Sequence, residues 1–107
     1  MNLKILFFVL IAISAIFEVF ADILFKKWAI GSKFYFLIIG LIIYFIGTIV
    51  WAFSLKYELL SKAISIFTIL NLIILVLAGI LVFNESLSII NKVGIALGIL
   101  SMILIEM

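Results

Sequence analysis

Cysteine, histidine, proline and arginine are all absent from this 107-residue chain. The first absence excludes disulfides and thiolate sites, and the second removes the commonest metal ligand and the usual neutral-pH proton shuttle. Proton chemistry is left to carboxylates. Without arginine, and with the lysines scattered over loops for a net charge of +2, no basic patch forms for nucleic acid. The missing proline goes with a lack of any low-complexity tract or linker long enough to divide domains. Charged residues of all kinds make up only 11% of the chain, well under the share in soluble domains.

What is abundant is apolar. Hydrophobic residues reach 70%, and they fall into four successive runs with short polar breaks. The expected fold is an all-α membrane protein with four transmembrane helices in a single domain over residues 1–107, at about 5–25, 34–55, 63–83 and 87–105. At ~1.5 Å per residue, runs of this length cross a hydrocarbon core of ~30 Å. A hydrophobic globular core explains one such run, not four in a row. Lys4 followed by an apolar stretch resembles a secretory signal, but the run is too long, contains Glu18, and has no small-residue cleavage site before Lys26 and Lys27. It reads as retained. Lys26, Lys27 and the loop 30–33 are expected to stop the first helix, and four helices put both termini on one side.

Within the first run, Ser14, Glu18 and Asp22 are spaced by four, so they form one polar stripe on an otherwise apolar helix. Glu18 sits near mid-depth. A charge there costs at least roughly 2.5 kcal/mol on insertion scales, so such a group is expected to face a cavity or a partner. Two carboxyls one turn apart titrate as a coupled set.

In the second helix Gly40, Tyr44, Gly47, Thr48 and Trp51 share a face at three- and four-residue spacing, so Tyr44, Thr48 and Trp51 are candidates for lining a common cavity. Trp51, near a helix end, reads equally well as an interfacial anchor. Tyr44 lies deeper and its hydroxyl needs a partner. The third helix carries Ser65, Thr68 and Asn71 three apart. Ser and Thr there often bond their own backbone with no ligand involved, whereas an Asn amide is hard to satisfy alone. The turn Asn84–Glu85–Ser86 follows, with Glu85 read as a surface carboxylate or one at the start of the fourth helix. That helix contains Gly94 and Gly98, a small-xxx-small pair that lets two backbones approach and marks either a dimer interface or packing within one subunit. Gly79 has no clear role.

Orientation follows lysine bias between short loops. Lys4, Lys56 and Lys62 fall on the side of the termini and Lys26, Lys27, Lys33 and Lys92 on the other, 3 against 4. A chain with so little bias can insert both ways, which permits an antiparallel pair with its two-fold axis in the membrane plane. That arrangement is favoured over one orientation. Four short helices do not easily enclose a solute path and keep a lipid-facing surface, so two copies are expected.

The segment Glu18–Val19–Phe20–Ala21–Asp22–Ile23–Leu24–Phe25–Lys26 resembles the first helix of the small multidrug resistance family, of the drug/metabolite transporter superfamily, in which a membrane Glu precedes a Lys by eight residues. Phe83–Asn84–Glu85–Ser86–Leu87 and the glycine-containing fourth helix resemble the same family's third loop and dimerisation helix. The resemblance covers nearly the whole chain in length, helix count and loop position. It implies a dual-topology homodimer in a prokaryotic plasma membrane that exchanges a cationic substrate for protons. Glu18 would be the shared site, with Tyr44 and Trp51 as lining residues. The third helix departs from the pattern. Family members read Gly-x-Ala-Tyr-Ala-x-Trp where this chain has Ser61–Lys62–Ala63–Ile64–Ser65–Ile66–Phe67, leaving Phe67 in place of Trp. Ile69 and Asn71 stand where bending glycines are usual, and Asp22 stands where a small or neutral polar residue is usual.

The function expected is therefore proton-coupled export of a small organic cation, with no enzymatic activity and no cofactor or metal. Glu18 is the essential group and Asp22 modulates it. Ser14, Tyr44, Thr48, Trp51, Ser65, Phe67, Thr68 and Asn71 form the wall, and Gly94 and Gly98 lie at the dimer contact. The alternatives are a lipid-linked sugar flippase subunit, suited to the Ser/Thr/Asn stripe, and a non-transporting assembly subunit whose carboxylates pair with a lysine of a partner helix.

Overall fold

A computed structural model describes residues 2–31 and 33–107. Four helices follow one another, α1 (Leu3–Gly31), α2 (Phe34–Ser54), α3 (Leu60–Phe83) and α4 (Ile89–Glu106), with no strand among the described residues. All four are long and apolar enough to cross a membrane, so the all-α, four-span architecture holds. The chain divides into two compact units, residues 1–60 and 61–107.

In the first unit α1 and α2 run antiparallel. Gly40 lies beside Ala21 and Phe25, and Gly47 beside Ser14, Phe17 and Glu18, so higher numbers on α2 meet lower numbers on α1. The buried residues of α1, Phe7, Ile11, Ser14, Ala15, Glu18, Val19 and Ala21, recur every three or four positions, the spacing of one helix face. On α2 the buried residues are Gly40, Gly47 and Ser54, seven apart, which is two turns. The contact is therefore a stripe of mixed size on α1 laid against a small-residue stripe of α2. Glycine is required here by space. A β-carbon on Gly47 would lie 2.9 Å from Phe17 Cβ and 3.5 Å from the Ser14 carbonyl oxygen, and one on Gly40 would lie 2.7 Å from the Phe25 ring. Without hydrophobic drive in lipid, such close backbone approach is what holds spanning helices together.

Helix α1 is longer than the sequence suggests. It continues through Lys26 and Lys27 to Gly31, 29 residues in all, or about 43 Å at 1.5 Å per residue. Lysine is a good helix former, and exposed at the end of a span it reaches the headgroups through its stem without ending the helix. Ser32, part of the expected loop, lies outside the described residues. Helix α2 closes at Ser54, whose hydroxyl donates to the Trp51 carbonyl at 2.6 Å.

In the second unit α3 starts at Leu60, earlier than the expected 63, and α4 starts at Ile89 rather than 87. The loop between them is specified locally. Asn84 takes φ 54°, a left-handed conformation that Asn tolerates better than most residues. The Glu85 N–H then donates back to the Gly79 carbonyl at 3.0 Å. The residue that opens α4 is Ser88, whose hydroxyl accepts from the Asn91 N–H at 3.1 Å. Glu85 is an exposed surface carboxylate and not the residue at the helix start. Its carboxylate folds back over α3, where a β-carbon on Gly79 would lie 2.5 Å from Oε1. That accounts for a glycine to which the sequence assigns no role.

Helices α3 and α4 also run antiparallel, Gly79 beside Glu85 and Leu72 beside Gly98, but they meet through side chains alone. A β-carbon on Gly98 would touch Leu72 and Ile69 at 3.7 and 4.0 Å, which is ordinary van der Waals distance. Gly94 has no atom within 4 Å of that position and opens onto a cleft of about 450 Å³, lined chiefly by Leu72, Val76, Ile90, Asn91 and Ile95.

Candidate functional site

The polar stripe of α1 holds together in three dimensions, but its members have different surroundings. Ser14 is fully buried and donates its hydroxyl to the Gly47 carbonyl at 2.9 Å. This is possible because Gly47 brings the α2 backbone within reach. Its hydroxyl thus joins the two helices. Glu18, one turn further on, is 8% exposed and stands one residue past the midpoint of α1. Its Cγ lies 3.5 Å from the position of a Gly47 β-carbon, so the carboxylate is held at the α1–α2 seam. Asp22, one turn beyond, is half-buried. No hydrogen bond or lysine neutralises either carboxylate among the described residues, and the groups that act on them are each other and the Tyr44 hydroxyl.

Tyr44 comes from α2 and is half-exposed at 42%, with its ring tilted against Phe25 at 6.3 Å between centroids. It is brought to the carboxylates because position 44 lies on the same face as Gly40 and Gly47. Thr48 lies off that face. It is exposed, and its hydroxyl donates to the Tyr44 carbonyl at 2.9 Å, one turn back on its own helix. Trp51 is half-buried near the end of α2.

On α3, the Ser65 hydroxyl donates to the Ser61 carbonyl at 2.8 Å, the same self-contained bond. Phe67 is buried and Thr68 is exposed. Asn71 is half-buried, and its Oδ1 is shielded from solvent with no hydrogen-bond partner. An amide oxygen in that condition inside a spanning helix costs about 1–3 kcal/mol. Of Ser65, Thr68 and Asn71, Asn71 is the one with a side-chain polar atom both shielded from solvent and unpartnered.

The residues that build the site without entering its chemistry are Gly40, Gly47, Phe17 and Phe25. The seven-residue spacing of Gly40 and Gly47 on α2 is visible in the sequence; the helix they pack against is not. Among the described residues no three Asp or Glu side chains converge as a metal-binding group.

No protein-family model, no curated protein and no solved structure matches the chain. Fold and composition define its class, a multi-pass membrane protein of four spanning helices. What that protein does rests on the chemistry of its own residues.

Proposed function

We propose that the chain is a proton-coupled exchanger of small organic cations, similar in plan to the small multidrug resistance family and working as a homodimer in a prokaryotic plasma membrane. The observation that carries the reading is Glu18, an ionisable group at mid-span, nine-tenths buried, with no ion pair or hydrogen bond among the described residues. Intramembrane carboxylates without a partner mark ion and substrate paths. Such a group is neutralised either by a proton or by a bound cation, and the two exclude each other. If the protein changes the side to which it opens only when the site is filled, that exclusion makes an exchanger. Glu18 holds the proton or the cation, Asp22 acts on it from one turn away, and Tyr44 supplies a hydroxyl at the rim.

The assembly-subunit reading draws on the same vacancy, since a lysine of a partner helix would also satisfy Glu18. Purified protein in liposomes separates the two. An imposed pH gradient drives uptake of an organic cation through the chain alone if it is an exchanger, and Glu18→Gln abolishes that uptake. Coupled uptake that survives Glu18→Gln removes the mechanism, and purification only as an obligate complex, with no flux from the chain itself, favours the subunit.

A further inference from the structure

We propose that the Glu18–Asp22 pair selects a dication, with a short aliphatic diamine as its fitting cargo. The inference rests on the exchange reading above and names its substrate class. An i, i+4 pair on a helix places its β-carbons roughly 5–6 Å apart on one face. The ammonium groups of a diamine with three or four methylenes are separated by a similar length when the chain is extended, given carbon–carbon and carbon–nitrogen bonds of about 1.5 Å.

The two carboxylates are not a solvated surface pair. Glu18 is 8% exposed, belongs to the buried stripe of α1, and is held against α2 across Gly47 with no hydrogen-bond or ion-pair partner among the described residues. Asp22 is half-buried on the same face and close enough for the two charges to act on each other. A monocation at Glu18 leaves the Asp22 charge uncompensated in a low-dielectric setting, where it must keep or take a proton. A diamine answers both. The flanking Val19 and Ala21 are apolar and buried, so α1 offers no third polar side chain next to the pair on its buried side, which suits a methylene linker. The Tyr44 hydroxyl, which lies within electrostatic reach of both, is placed to accept from an ammonium.

The test uses the full chain reconstituted in liposomes, with 1,4-diaminobutane and butylamine as the paired probes. Wild type is expected to take up the diamine with about tenfold or greater preference over the monoamine, the factor that one additional charged hydrogen bond supplies. Asp22→Asn is expected to bring the ratio of diamine to monoamine uptake to about one, whatever it does to the overall rate, and Asp22→Glu to restore the preference. A wild-type ratio near one, or an Asp22→Asn protein that still discriminates, overturns the proposal and leaves the exchanger standing. Coupled uptake of both amines by Glu18→Gln overturns the exchanger itself. Should Asp22→Asn fail to fold, the wild-type ratio and that of Asp22→Glu decide.

Discussion

The two helix pairs of this protein use the same raw material in opposite ways. Both have glycines at regular spacing in an apolar helix. In the α1–α2 pair the glycines are filled, because Gly40 and Gly47 let the α2 backbone press against Phe25, Phe17 and the Ser14 carbonyl. In the α3–α4 pair Gly94 opens onto a cleft and Gly98 makes only ordinary contact with Leu72. The first pair buries a carboxylate and joins its helices through the Ser14–Gly47 hydrogen bond, whereas the second meets through side chains. A small-residue pattern therefore announces the chance of close approach, and the neighbouring helix decides whether it is taken.

The contrast can be broken most severely at Gly47. Gly47→Val is expected to destabilise the protein by about 3 kcal/mol in detergent, since the new side chain meets a β-carbon and a backbone oxygen that have little room to move. A thermal unfolding midpoint close to wild type would mean that the α1–α2 seam is looser than described. Gly40→Ala should cost less, about 1–2 kcal/mol, because the Phe25 ring is the main obstacle and a ring can turn. Ser14→Ala removes one interhelical hydrogen bond, and in membrane proteins such bonds average about 0.6 kcal/mol, so a loss of that order is expected. On the other side of the comparison, Gly94→Ala meets no atom. It should be neutral or stabilise by up to about 1 kcal/mol through helix propensity. Clear destabilisation there, in a titration of unfolding against denaturing detergent, would show the cleft to be occupied by another helix. Smallest of all is Gly79→Ala. The obstacle is the free end of the exposed Glu85 side chain, which can swing away, so the change in stability should stay within about 0.5 kcal/mol.

Much of the first pair was legible in the residues. A carboxylate at mid-run and a second one four positions on require no coordinates to be noticed, because their cost in lipid singles them out. The end of α1 was not legible, since Lys26 and Lys27 look like a stop when read as charge and serve as helix when their propensity and reach are considered. Thr48 and Ser65 illustrate another limit. Their spacing suits a cavity wall, yet each hydroxyl is satisfied by the carbonyl one turn behind it, and helical spacing cannot tell the two fates apart. At the start of α4 the cap is the Ser88 hydroxyl, and Glu85, three residues earlier, is the more conspicuous charge but has no part in it. Gly79 depends on the fold of the Asn84 turn, which brings Glu85 back over α3, and no local pattern announces that.

The central claim is that Glu18 holds either a proton or a cation and never both. It is tested most directly by adding an organic cation to purified protein in weak buffer and recording the protons released. Wild type should acidify the solution in proportion to the cation bound, and Glu18→Gln should release none. Cation binding without proton release from wild type, or equal release from Glu18→Gln, would contradict the account.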